Sequence, residues 1–240
     1  MIKAANHPLL SGFWRFYIRN SLQGHFSQVM LALPDGMPSQ TPMLWHATHV
    51  SFWDGYLALE AARFLNLEYR VMMLAQNLKK FSFLRYAGAF GLERGSARGA
   101  LESLRYAAQE LQNSKPRAVL VFPSGEIGSP HQRPLPYESG IATLATMAAR
   151  HQKVLVCPLA IRIEYGKLEK PVAWLRFGQP RWVQAGNRST TLIALLQDDL
   201  ERAADRLHQD LLLGHTSVYQ SILRGYSSVP ELWSRLLASR

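Results

Sequence analysis

The chain has 240 residues, 48% of them hydrophobic, and a formal net charge of +10. That length and apolar content suit one sizeable core and exclude a disordered or fibrous chain. The positive balance points to nucleic acid, an anionic membrane surface or phosphorylated substrates, and the lack of a reader module or a dense Lys/Arg tract excludes nucleic acid.

Leu9 to Leu33 reads as a helical lead-in, in which Phe13, Trp14, Phe16, Tyr17 and Ile18 surround Arg15 and Arg19. Such a helix either lies in a headgroup region or packs on the domain core. Pro34-Asp35-Gly36 and Pro38 then turn the chain into a short buried strand, Met43-Leu44-Trp45. A helix to about Leu65 follows, with Ser51 as its N-cap and Asp54 placed to reach back to that cap.

Glu68 to Ala75 reads as a strand, Leu78 to Phe90 as a helix and Gly91 to Gly95 as a short extended piece carrying Arg94. Ser96 can cap a helix to Gln112, and Arg117 to Phe122 is a continuous apolar strand of the kind buried in a parallel sheet. Pro123 to Glu138 is polar and rich in proline and glycine, a candidate substrate loop.

Ser139 can cap a helix to about Gln152, followed by strands at Lys153 to Tyr165 and Val172 to Phe177. Ser189 can cap a long helix to Leu213, stopped by Gly214, and the tail ends in an amphipathic PELWSRLLASR. This alternation predicts an α/β fold: a single domain with a mixed, largely parallel central sheet flanked by helices, with helical N- and C-terminal extensions. The expected parts are a lead-in over 1–36, a core over 37–185 and C-terminal helices over 186–240 packed on it.

Cys157 is the sole cysteine, which excludes an internal disulfide and fits a reducing, cytoplasmic compartment. Preceding Pro158 in an apolar run, it reads as a core residue. No window of eighteen or more uncharged apolar residues occurs, and the N-terminus lacks the apolar core of a secretory signal, so any membrane contact is expected to be peripheral.

His49 and Asp54 are the residue types that form a general base and its orienter. An imidazole can take a proton from a hydroxyl near neutral pH, and a carboxylate on its other nitrogen fixes the tautomer. On spacing alone, a capping box beside a polar loop histidine is the simpler reading. His46, His49 and Asp54 lack the further Cys/His cluster that a zinc site needs, so no metal is expected. Ser124 lacks the Gly-x-Ser-x-Gly context of a nucleophile elbow, because position 122 is Phe. The glycines from Gly88 to Gly99 lack dinucleotide spacing, so no nucleotide cofactor is expected.

The order of motifs resembles the glycerolipid acyltransferase family, whose members acylate glycerol phosphate, lysophosphatidic acid and other lysophospholipids. His49 and Asp54 match its His-x4-Asp block. Arg94 in GLERG matches a second block, and Phe122, Pro123 and Gly125 in VLVFPSGE match a Phe-Pro-Glu-Gly block. Glu138 to Ile161 resembles a fourth, and the resemblance covers roughly Leu44 to Val183.

The resemblance implies acyl transfer from a thioester (acyl-CoA or acyl-carrier protein as co-substrate, with no cofactor) to a lipid hydroxyl, with His49 and Asp54 catalytic. It implies that Arg94, and Arg133 from the following loop, bind a negative group of acceptor or donor. Gly125 would let the backbone approach the substrate. Ser124 stands where the family has glutamate, and Glu126 and Ile127 replace the usual threonine and arginine. Glu126 is then a candidate for hydroxyl recognition, and the acceptor stays open between lysophospholipid and an unphosphorylated lipid alcohol or glycolipid. A lipid esterase or thioesterase, using water as acceptor, and a non-catalytic lipid-binding protein are the other classes, and peripheral contact with an anionic membrane suits all of them.

Overall fold

Among the described residues, buried aliphatic side chains alternate between two faces of a nine-stranded sheet, and helices cover both. The computed structural model of the chain describes residues 1–38, 41–113 and 115–227. In order along the chain, helix α1 (Pro8–His25) leads into strands β1 (Gln28–Ala32) and β2 (Met43–Ala47), and helix α2 (Asp54–Phe64) into β3 (Glu68–Leu74). Helix α3 (Ala75–Lys80) and a 3-10 turn (Ser82–Ala87) precede β4 (Ala89–Leu92), α4 (Ala97–Leu111) and β5 (Arg117–Val121). Helix α5 (Gly140–Ala148), strands β6 (Val154–Glu164), β7 (Val172–Phe177) and β8 (Arg181–Val183), helix α6 (Ser189–Leu212) and strand β9 (Gln220–Arg224) follow among the described residues.

The sheet order is β4-β3-β5-β2-β6-β7-β1-β9, with β8 paired to β6. The block β4-β3-β5-β2-β6 is parallel throughout, whereas β6 pairs antiparallel with both β7 and β8, and β9 antiparallel with β1. Strand β2 shows how one short segment serves both layers. Met43, Trp45 and Ala47 join the cluster under α1 and α2, while Leu44 joins the one under α4, α5 and α6. This is the period-2 alternation of a strand buried on both faces. The mixed, largely parallel sheet matches the expected α/β class.

Several local elements differ from the sequence reading. The lead-in helix stops at His25, and Gln28–Ala32 forms β1, parallel to β7. The helix expected over Leu78 to Phe90 is two short pieces ending at Gly88, whose φ of 105° places it in the left-handed region. A Cβ there would overlap the Tyr69 carbonyl oxygen, so a glycine lets the chain turn hard against β3 and enter β4. Ser96 caps α4 as expected, its Oγ accepting from the Gly99 amide at 3.0 Å, but Ser139 makes no such bond and Ser189 sits inside the first turn of α6. After Gly178–Pro180 the chain returns as β8 beside the lower half of β6. The tail contributes strand β9, while PELWSRLLASR lies outside the described residues.

Candidate active site

His49 and Phe122 follow the ends of β2 and β5, which lie side by side and parallel, at the carboxyl edge of the sheet. Thr48 pins the exit of β2 to β6: its amide donates to the Leu159 carbonyl at 3.1 Å, and its Oγ1 accepts from the Ile161 amide at 2.9 Å. The next residue is His49. Its ring stacks flat on Phe122, the first residue past β5, with centroids 4.0 Å apart and planes 17° from parallel.

Asp54 opens α2 and is fully buried. Its Oδ2 lies 2.8 Å from His49 Nδ1 and accepts from the Val50 and Ser51 amides at 2.7 and 2.9 Å, while Oδ1 accepts from Ser51 Oγ at 2.6 Å. Three donors besides the histidine converge on this acceptor-only group, at the end of a helix whose dipole favours negative charge. His49 therefore presents Nδ1–H to Asp54, which leaves Nε2 as the lone-pair nitrogen. Ser51 is not the cap it was expected to be: α2 begins at Asp54 with Trp53 as its N-cap and no side-chain cap bond. Ser51 Oγ accepts from the Trp53 amide at 3.1 Å, so only the acidic half of the expected box forms, with Asp54 taking the Ser51 amide as well as His49.

The second wall is the turn Phe122–Gly125, closed by the Gly125 amide on the Phe122 carbonyl at 3.0 Å. Ser124 Oγ donates to the Glu126 carbonyl at 2.8 Å. The loop beyond is fastened back to the site, since the Gly128 amide donates to the His49 carbonyl at 2.9 Å. Helix α6 holds its far end, through Glu201 on the Leu135 amide (2.8 Å) and Gln197 on the Leu135 carbonyl (3.1 Å). Between these parts lies a cavity of about 90 Å³ lined by Thr48, His49, Ser124, Glu126 and Arg162, with Leu200, Ala204 and Leu207 of α6 as its apolar floor.

The structure brings His49, Ser124 and Glu126 into one cleft, with Asp54 directly behind His49. Arg94 stands behind the Phe122–Gly125 turn, its Nη2 held by both Glu138 oxygens at 2.7 and 2.8 Å. Gly125, with φ 73°, makes room for that guanidinium. Arg133 is turned away toward α6, where Nη2 and Nε donate to Asp205 Oδ1 at 2.6 and 3.0 Å. Sequence reasoning missed Glu138, the stacking role of Phe122, and Arg162. Only tertiary packing gives them these roles.

His46 belongs elsewhere. Its ring is fully buried, Tyr137 Oη lies 2.9 Å from its Nδ1, and burial pushes its pKa down to about 3. No group of three or more His, Cys, Asp or Glu among the described residues could hold a metal ion. Cys157 is buried, and burial pushes its thiol pKa up, away from nucleophilic reactivity.

Helix α1 splits its faces. Ile18 and Leu22 are buried in the core and Trp14 stacks on Phe83 at 4.3 Å. Phe13, Phe16 and Tyr17 are exposed, as are Phe52 beside the His49 loop and Phe81. No helix of the described residues is long and apolar enough to cross a membrane.

The class is an α/β domain with a mostly parallel sheet and a histidine–carboxylate pair at a strand-to-helix junction. Comparison with known proteins supplies the family. The Acyltransferase family model matches residues 29–162, more than half of the chain, and the chain belongs to that family. Among solved structures it is similar to the 1-acyl-sn-glycerophosphate (LPA) acyltransferase PlsC from Thermotoga maritima. That likeness has a TM-score of 0.53 at 18% identity, over 84% of this chain and 79% of that one. No curated protein matches it in sequence.

Proposed function

We propose that the protein moves a fatty acyl group from an acyl thioester, either acyl-CoA or acyl-carrier protein, to a hydroxyl of a lysophospholipid or related lipid acceptor. The observation that carries this reading is the His49–Asp54 bond of 2.8 Å at the edge of an open cleft, in a chain of the acyltransferase family. His49 Nε2 takes the proton of the acceptor hydroxyl as its oxygen attacks the thioester carbonyl. The tetrahedral intermediate collapses with cleavage of the C–S bond, and the leaving thiolate takes the proton back from Nε2. The Asp54 carboxylate balances the imidazolium between the two transfers. No covalent acyl-enzyme is required, and the protein needs no cofactor beyond the thioester co-substrate.

The exposed Phe13, Phe16 and Tyr17 of α1 and the net charge of +10 support peripheral attachment to an anionic, cytoplasm-facing membrane, where such an acceptor resides and the product belongs to phospholipid biosynthesis. A neutral lipid alcohol is the second reading of the acceptor, favoured by the ion-paired state of Arg94 and Arg133.

Thiol release from a long-chain acyl-CoA or acyl-carrier protein, with products identified by mass, tests the assignment. Release that needs both a lipid acceptor and His49 supports transfer. Release of free fatty acid without acceptor would make the protein a thioesterase, and release undiminished in His49→Ala would remove the base.

A further inference from the structure

We propose that Arg162 is the phosphate-binding residue of the cleft, a role that builds on the acyl-transfer reading. All three arginines have a carboxylate partner, Arg94 on Glu138, Arg133 on Asp205 and Arg162 on Glu164, but Arg94 and Arg133, the two singled out by sequence, lie outside the lining. Among the described residues that line the cleft, the one arginine or lysine is Arg162.

Its position follows from topology. Strand β6 runs past the end of β2, and Thr48 is bonded to Leu159 and Ile161, so residue 162 stands just beyond the loop that carries His49. On this stretch Ala160 packs against Ala203, Ala204 and Leu207 of α6, and Arg162 comes two residues later, on the same face of the strand. Arg162 thus lies along the α6 wall, and its side chain keeps only 12% of its surface exposed.

The hydrogen bonding of this guanidinium is incomplete. Nη1 lies 2.6 Å from His208 Nδ1 on α6, a contact that orients the planar group. Nε is buried and lies 3.0 Å from a Glu164 oxygen, but without the alignment of a hydrogen bond, so it counts among the unsatisfied buried polar atoms. No protein acceptor among the described residues takes a hydrogen bond from Nη2. A guanidinium in a half-apolar cleft with N–H groups to spare is built to receive an anion with several acceptor oxygens, and phosphate fits that fork. The phosphate can belong to the acceptor, as a lysophosphatidic headgroup, or to the donor, on coenzyme A or a phosphopantetheine arm. Both carry the same chemistry to the same wall.

Binding without turnover separates this inference from the transfer reading. Calorimetric titration of the wild type, Arg162→Gln and Arg162→Lys uses two matched pairs. One is a short-chain lysophosphatidic acid against the corresponding monoacylglycerol, and the other is coenzyme A against pantetheine. Loss of a charge-assisted hydrogen-bonding partner lowers affinity roughly 10- to 100-fold. Arg162→Gln is expected to cut the preference for the phosphorylated member of one pair by that factor, and Arg162→Lys to restore part of it. The pair that responds identifies whether acceptor or donor carries the phosphate.

Equal preferences in wild type and Arg162→Gln, or no phosphate preference in the wild type, overturn the proposal. A matching melting temperature for the two arginine variants establishes that the fold is retained; should Arg162→Gln unfold, the Arg162→Lys titration alone decides, since a guanidinium fork and a point charge differ at a bidentate site. Absence of acyl transfer with phosphate binding intact would sink the transfer reading and leave this one standing.

Discussion

Gly125 occupies the space that Arg94 needs: a Cβ at position 125 would overlap Arg94 Nη2 and lie 3.1 Å from Glu138 Oε1. The glycine therefore does two things. It takes the left-handed conformation, φ 73°, that closes the Phe122 turn, and it lets a guanidinium–carboxylate pair rest on the back of the cleft wall. Gly125→Ala is expected to cost about 1–2 kcal/mol in backbone strain alone. It should also displace Arg94, lowering activity beyond what the loss of stability explains. Arg94→Ala in the Gly125→Ala background should recover the steric part and leave the strain. Urea unfolding of the four proteins of this cycle measures both.

Asp54 accepts from the Val50 amide, the Ser51 amide and Ser51 Oγ as well as from His49, so its substitution touches chemistry and helix start together. Asp54→Asn places an amide NH2 against donors that need an acceptor. The expected loss in kcat is about 10²- to 10⁴-fold, with a smaller change in KM because the residue is behind His49 and away from substrate. Stability should fall by roughly 1–3 kcal/mol from the unsatisfied groups. A variant that unfolds easily but keeps full kcat would make Asp54 a cap and nothing more.

What was legible in the sequence was mostly local. The His49–Asp54 relation spans five residues, and the carboxylate that opens α2 is the one that holds His49. Five of the six expected strands or extended pieces are present because each is built around an apolar run, whereas β4 is Ala89–Leu92 and only overlaps the piece expected over Gly91 to Gly95. Strands β1 and β9 were not legible: each is five residues long, and what makes them strands is pairing with β7 and with each other across the chain. Gly88 looks like any glycine until the Tyr69 carbonyl is seen beneath it. Arg162 likewise reads as a strand arginine, and only the register of β6 against β2, with α6 packed alongside, puts it in the cleft.

Helix α1 offers an exposed aromatic face next to a buried aliphatic one, so the proposed membrane attachment can be tested apart from folding. Phe13 and Phe16 are 56% and 68% exposed, so Phe13→Ser with Phe16→Ser should leave the melting temperature within a few degrees. Sedimentation with vesicles should fall clearly in this double variant. For the wild type it should be stronger on anionic than on neutral lipid and should weaken as salt rises. Binding that is indifferent to lipid charge would leave burial of the aromatics as its only source. No binding at low salt would end the idea of attachment.

His46 makes the fold sensitive to acid independently of the active site. Burial holds its folded pKa at about 3, whereas an unfolded histidine titrates near its ordinary value of 6.5. Between those values the unfolded chain binds the proton and the folded one does not, so stability is full above pH 6.5 and declines as pH falls toward 3. The contribution is about 1.4 kcal/mol per pH unit in that window. His46→Gln keeps a polar partner for Tyr137 and removes the titration. Urea unfolding from pH 7 to 4 should therefore show a shallower decline in His46→Gln than in the wild type, whatever offset the substitution adds at pH 7. Parallel curves for the two proteins would mean that the ring of His46 takes up its proton without unfolding the chain.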